Sequence, residues 1–360
     1  MSELVGTLTV RERWEDARTL ADRAFALADE LGVERPARLL GFRGVQRFFL
    51  GDPGGLDDMD EAYERLLASG ASRYATVVRF NRVRALWHLE GPKTLDEFEA
   101  ARTFALSRSQ ELSARFALGA IAFSQRDQGL YEEAIVFVER HLPEIDAVGD
   151  VFMGQSLRSW LAGVYAAQGE LEAADGELRR VLEGAVGERR GHALTFAAPV
   201  ALMRGERARA AELFTELLGT HNVHAHPPSI GNLPLIARTA AGLGEPHHAA
   251  EYIAGVYPGF GFRYIDTLAT AARAVLAHAD GDHERAVDLA SSVVEPLAEA
   301  LAFPERGHAL LLLGQGKLAI GDPSGLEAVR GARDVFAELG MRPALAEAEA
   351  LLEGEVAAEA

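Results

Sequence analysis

Glycine recurs at a near-constant interval, each time just after an apolar stretch of helical periodicity. Gly51, Gly91, Gly129, Gly169, Gly205, Gly244, Gly281 and Gly321 are separated by 40, 38, 40, 36, 39, 37 and 40 residues. A period near 39, sustained through most of a 360-residue chain, marks one supersecondary unit used many times over. Five residues after Gly129, Gly169, Gly205, Gly244 and Gly281 comes alanine each time: Ala134, Ala174, Ala210, Ala249 and Ala286. In "SLRSWLAGVYAAQGELEAADGELRRVLEGA", Leu157, Leu161, Val164 and Tyr165 share one helical face before the glycine, and Leu171, Ala174, Leu178 and Leu182 share one after it. Each unit reads as a helix, a tight turn and an antiparallel helix. Glycine suits the left-handed residue past the first helix, and a small alanine lets the second helix approach closely. Such a hairpin cannot bury its apolar face alone, so neighbours must stack.

The expected fold is all-α, a right-handed α-solenoid of about eight antiparallel helix hairpins forming a single domain over 1–360. Hairpins occupy 36–340, a capping helix 343–353, and 10–32 reads as the second helix of a truncated hairpin, because only "MSELVGTLT" precedes it. That truncation points to a longer native chain. "GDP" at 51–53 and 321–323 reads as punctuation: glycine ends one helix, aspartate caps the next and proline takes its first position. The "GGL" and "SGL" that follow have no account at this level. Pro199, inside "LTFAAPVALM", should bend or break its helix.

The formal charge of −18 opposes a phosphate backbone, and no concentrated basic patch offsets it, so direct nucleic-acid binding is not expected. Cysteine is absent, which removes disulfides and thiolate metal sites and fits a reducing cytoplasm. The N-terminal stretch lacks a signal-peptide core, and no window approaches the apolar length of a membrane span.

The residues around the turns, Leu161, Ala162, Tyr165, Gly169, Ala174 and Leu178 in the clearest unit, resemble the tetratricopeptide repeat, with a period longer than that family's 34. The closing "GDPSGLEAVRGARDVFAELGMRPALAEAEALL" is similar to the end of the helical-repeat region in bacterial LuxR-type ATPase regulators and class III adenylyl cyclases. This resemblance implies a sensing or scaffolding region, with attached ATPase, cyclase or DNA-binding domains elsewhere in a longer protein. The phosphate-binding loop G-x-x-x-x-G-K-[ST] is not present.

By the resemblance to tetratricopeptide proteins, the first helix of each hairpin lines a concave groove. Arg79, Asn81, Arg82, His88, Phe123, Arg126, Arg158, His192, His278 and His308 then become candidate binding residues. A groove more basic than its exterior would attract an acidic peptide or protein partner; alternatively the arginines pair with carboxylates of adjacent helices. His221, His224 and His226 in "THNVHAHPP" are the nearest approach to a metal-binding loop, but no carboxylate or thiolate completes the set, and no metal or cofactor is expected. No catalytic signature stands out. Three functions follow in order: a non-catalytic interaction scaffold in a bacterial signalling or transcription-regulatory protein, a small-ligand module controlling an attached domain, and a metal-dependent enzyme using the histidine loop.

Overall fold

The computed structural model describes residues 1–360 apart from 11–12, 221–229, 257–258, 260 and 360. Among the described residues all regular structure is helical. The chain divides into two compact units. The first holds Met1–Glu90, Thr94–Ile121 and Gly259–Arg263; the second holds Gly91–Lys93, Ala122–Pro258 and Tyr264–Ala360.

In the first unit lie α1 (Ser2–Val10), α2 (Trp14–Glu30), α3 (Ala37–Phe49), α4 (Gly55–Ala68), α5 (Ser72–Glu90) and α6 (Leu95–Leu106). The boundary falls inside α7 (Glu111–Gln128). The second unit continues with α8 (Tyr131–Ala147), α9 (Val151–Ala167), α10 (Leu171–Leu182), α11 (Gly187–Met203) and α12 (Arg207–Gly219). After the segment that is not described come α13 (Leu233–Leu243), α14 (Pro246–Val256), α15 (Arg263–Ala279), α16 (His283–Glu299), α17 (Phe303–Ala319), α18 (Gly325–Leu339) and α19 (Arg342–Glu359).

The repeat spacing has the physical origin expected of it. All eight marker glycines take positive φ, between 71° at Gly91 and 90° at Gly51. Ala134, Ala174, Ala210, Ala249 and Ala286 are all buried, where a larger side chain would hold the paired helices apart. Burial follows the helical period: α16 turns Ala286, Ala290, Val293 and Leu297 inward, and each large aliphatic group so buried stabilises by roughly 2 kcal/mol.

The "GGL" and "SGL" sequences now have a cause. A Cβ on Gly55 would stand 2.2 Å from the carbonyl oxygen of Gly44, and one on Gly325 would stand 2.7 Å from that of Gly314. These two hairpins cross backbone against backbone, and glycine does there what alanine does in the shorter-turned units. The N-cap expected of aspartate needs correcting at both sites. Asp52 Oδ1 accepts from the Gly54 amide at 3.0 Å and Asp322 Oδ1 from the Ser324 amide at 2.9 Å, so each closes a turn and its helix begins two residues past the proline. True caps occur at Asp150 and Asp282, which accept from the amides of Met153 and Arg285.

Three further expectations change. Ser2–Val10, read as too short to supply a first helix, is the helix α1; a helix of nine residues is marginal alone but here packs through buried Val5 and through Thr9, whose hydroxyl accepts from Gln46 Nε2 at 2.8 Å. Pro199 does not break α11, which runs unbroken from Gly187 to Met203 and is buried along nearly its whole second half. The terminal helix also extends past 353, to Glu359.

Candidate functional site

Within the second unit, α7, α9, α11, α13, α15 and α17, the first helices of successive hairpins, share one cavity of about 400 Å³, α15 through Tyr264. The terminal helix α19 closes one side of it with Pro343 and Ala344, preceded by Met341. That placement is fixed by contacts across the unit: Arg342 bonds the carbonyl oxygen of Gln168 and pairs with Glu170, while Leu339 and Pro343 lie against Gly129 and Gly169. Pro199, Leu202, Met203 and Leu235 give the cavity apolar walls.

Each of its arginines is paired with a carboxylate. Arg126 Nε lies 2.8 Å from Asp127 Oδ1 and its Nη2 3.1 Å from Asn232 Oδ1. The same guanidinium sits 4.8 Å from the Trp160 ring and 5.1 Å from that of Phe196, a cation held between aromatic faces. Across the cavity Arg238 makes a two-pronged pair with Glu305, at 2.7 and 2.8 Å. His308, one turn past Glu305, also faces the cavity.

Burial sets the protonation of these groups. Burial pushes the Asp127 carboxyl up to about 6 against the pull of Arg126. Burial would raise Glu305 too, but the charge and hydrogen bonds of Arg238 outweigh it and hold the carboxyl at about 2. Burial, with the Arg238 charge beside it, pushes His308 down to about 3, so its imidazole is neutral. Arg126 Nη1 and Asp127 Oδ2 are buried with no hydrogen-bond partner. That leaves one donor and one acceptor of the pair unmatched.

Of the candidates named from sequence, Arg126 and His308 line this cavity. Phe123 is buried beneath Arg126, its ring 5.0 Å from Trp160. Arg158 is countered by Glu177 at 3.0 Å and Asp146 at 2.6 Å. His192 is buried with its ring centroid 4.0 Å from that of Trp160. His278 Nδ1 lies 3.2 Å from His283 Nδ1, and burial, then the charge of that neighbour, lowers its pKa. Arg79, Asn81, Arg82 and His88 belong to the first unit. There Arg79 rests over the Phe104 ring at 5.2 Å, half-buried Asn81 follows it on α5, Arg82 pairs with Asp60, and His88 is fully buried among Phe48, Phe49 and Phe262. His221, His224 and His226 lie outside the described residues.

Asp127, Arg238 and Glu305 were not singled out from the sequence. One signal was available: Arg238 is the sole charge in "LPLIARTAAGL", and a lone charge in an otherwise apolar helix needs a buried partner. Among the described residues no helix is long and apolar enough to cross a membrane, and no group of three or more His, Asp or Glu is placed to hold a metal ion.

No family model matches the chain, and no curated protein matches it significantly. Solved structures do resemble it. A Rap protein complexed with competence and sporulation factor matches 94% of this chain and 99% of its own at TM-score 0.63 and 14% identity. The Rap conjugation gene regulator of plasmid pLS20, in complex with the Phr* peptide, matches over 93% and 96% at TM-score 0.60 and 11% identity. The apo quorum sensor NprR from B. thuringiensis matches over 93% and 97% at TM-score 0.51 and 12% identity. The resemblance to LuxR-type regulators and adenylyl cyclases finds no support in these comparisons. At such identities the likeness is one of fold: the chain is an all-α protein with tetratricopeptide-like helical repeats.

Proposed function

We propose that this chain is a non-catalytic, peptide-binding scaffold of bacterial regulation, and that the cavity of the second unit is where the peptide sits. The carrying observation is the cavity itself: about 400 Å³, walled by apolar side chains from consecutive first helices and holding a few placed polar groups. The fold neighbours add support, since two of them are described in complex with competence and sporulation factor or with the Phr* peptide. An acidic partner, the expectation from the arginine-rich first helices, meets arginines that already have carboxylates: Arg82 with Asp60, Arg126 with Asp127, Arg158 with Glu177. A small ligand controlling an attached domain is the second reading, favoured by a volume within the range of ordinary small-molecule sites.

The test is a screen of end-capped synthetic peptides by titration calorimetry, paired with Met203→Trp. Met203 is 42% exposed on the cavity wall, so tryptophan there fills the space without disturbing the core. Micromolar or tighter binding that Met203→Trp abolishes, with helicity unchanged, supports the reading. Binding that survives the variant places the peptide elsewhere and sinks it.

A further inference from the structure

Charge inside the cavity is already matched. Arg126 faces Asp127 and Arg238 faces Glu305, each within hydrogen-bond distance. The remaining charge among the described lining residues is Glu347, which is exposed and accepts from Gln315 Nε2 at 3.0 Å. An acidic group entering from water would lose its hydration and meet guanidiniums already countered by carboxylates, although Arg126 Nη1 is left open. A basic group would find no uncountered carboxylate except at the exposed Glu347. Either must reopen a pair that is largely desolvated, which is the expensive way to place a charge.

His308 differs in kind. Its ring lines the cavity, and none of the described residues hydrogen-bonds its nitrogens. A neutral imidazole presents one N–H donor and one acceptor. The two ring nitrogens diverge, so one of them meets a carboxamide, which answers a donor with its oxygen or an acceptor with its N–H. Elsewhere on the cavity wall Pro199, Leu202, Met203 and Leu235 offer apolar surface, which suits aliphatic side chains.

We propose that the cavity takes an uncharged, largely apolar peptide segment and that His308 reads one carboxamide in it, the side chain of Asn or Gln. This rests on the peptide-binding reading above and adds the chemistry of the ligand and the residue that selects it.

The experiment uses the full chain and four pools of end-capped pentapeptides. Four positions vary among Ala, Leu, Val and Pro, and the central one is fixed as Asn, Leu, Asp or Lys. The Asn pool should bind about fivefold more tightly than the Leu pool, as one neutral hydrogen bond gives, and more tightly again than the Asp and Lys pools. His308→Phe should erase the preference of Asn over Leu, read as the ratio of the two affinities within that variant, and His308→Gln should restore part of it. Tightest binding by the Asp or Lys pool, or an Asn preference that persists in His308→Phe, overturns the proposal and leaves the peptide reading standing. Failure of every pool, while other peptides bind in the screen paired with Met203→Trp, overturns this proposal alone; failure in both removes the peptide reading with it.

Discussion

Arg238 and Glu305, 67 positions apart in the chain, join α13 to α17 through two parallel hydrogen bonds of 2.7 and 2.8 Å at the wall of the cavity. Their side chains are only 23% and 21% exposed, so the pair is held in a setting where an unmatched charge is costly. Removing one member should therefore cost more than removing both. Arg238→Ala or Glu305→Ala alone should lose about 3–5 kcal/mol, whereas Arg238→Met with Glu305→Leu should lie within about 1 kcal/mol of the parent. Urea unfolding of the three variants checks this; equal losses would show the charges to be well solvated.

Acid should act on the cavity groups in a defined order. His308 has a folded pKa depressed from 6.5 to about 3, so its stabilising contribution is complete above 6.5 and is lost as pH falls toward 3. Glu305, depressed from 4.5 to about 2, loses its contribution below 4.5. Asp127 runs the other way: raised from 3.8 to about 6, it favours the folded state as pH falls through that window. Stability should thus change little between about pH 6 and 4.5, where His308 and Asp127 oppose each other, and fall steeply below 4.5. His308→Asn removes one side of that balance, so its unfolding midpoint relative to the parent should rise between pH 7 and pH 4.5. A constant offset would mean that His308 titrates normally.

Glycine substitutions should separate by what each Cβ meets. Gly325→Ala drives a methyl group to 2.7 Å from the Gly314 carbonyl oxygen and should cost about 1–3 kcal/mol. Gly176 lies inside α10 with nothing within 4 Å of where a methyl group would stand, and should gain about 0.5–1 kcal/mol on becoming alanine. Thermal or urea midpoints of the two variants, taken together, test whether close backbone crossing rather than helix propensity sets the requirement at Gly325.

Arg342→Ala should separate local from global stability. Arg342 and Glu170 are both more than half exposed, so the ion pair itself is worth at most about 1 kcal/mol. Yet Arg342 also bonds the Gln168 carbonyl oxygen, tying α19 to the turn between α9 and α10. Hydrogen exchange of the α19 amides should quicken in the variant while the urea midpoint barely moves. Unchanged exchange would show that Leu339 and Pro343 suffice to hold the helix.

The repeat was legible because its cause is local. A left-handed residue after each first helix admits glycine almost alone, and a close helix pair admits alanine, so both leave fixed letters at Gly129 and Ala134 or Gly169 and Ala174. The cavity was legible only in part, because its cause is not local. Arg126 could be singled out as a charge on a first helix, but its neighbour Asp127 looked like any solvated carboxylate, and nothing in the sequence says that residue 238 meets residue 305. The Gly44–Gly55 and Gly314–Gly325 contacts were hidden for the same reason. Helix α1 escaped notice because short helices show too few turns to display a period, and its stability comes from burial against α3 rather than from its own residues.

The docking of α19 against the turn after α9, and of the end of α18 against the turn after α7, changes how the second unit must respond to damage. In an open array of repeats each module touches only its two neighbours, so cooperativity decays along the stack and terminal modules can fray alone. Here the bond from Arg342 to Gln168 spans 174 positions and makes the last helix a neighbour of the second unit's early hairpins. Trimming the chain from its C-terminus should therefore weaken α9 and α10 before it weakens α14, an order of unfolding that follows distance in space instead of distance in sequence.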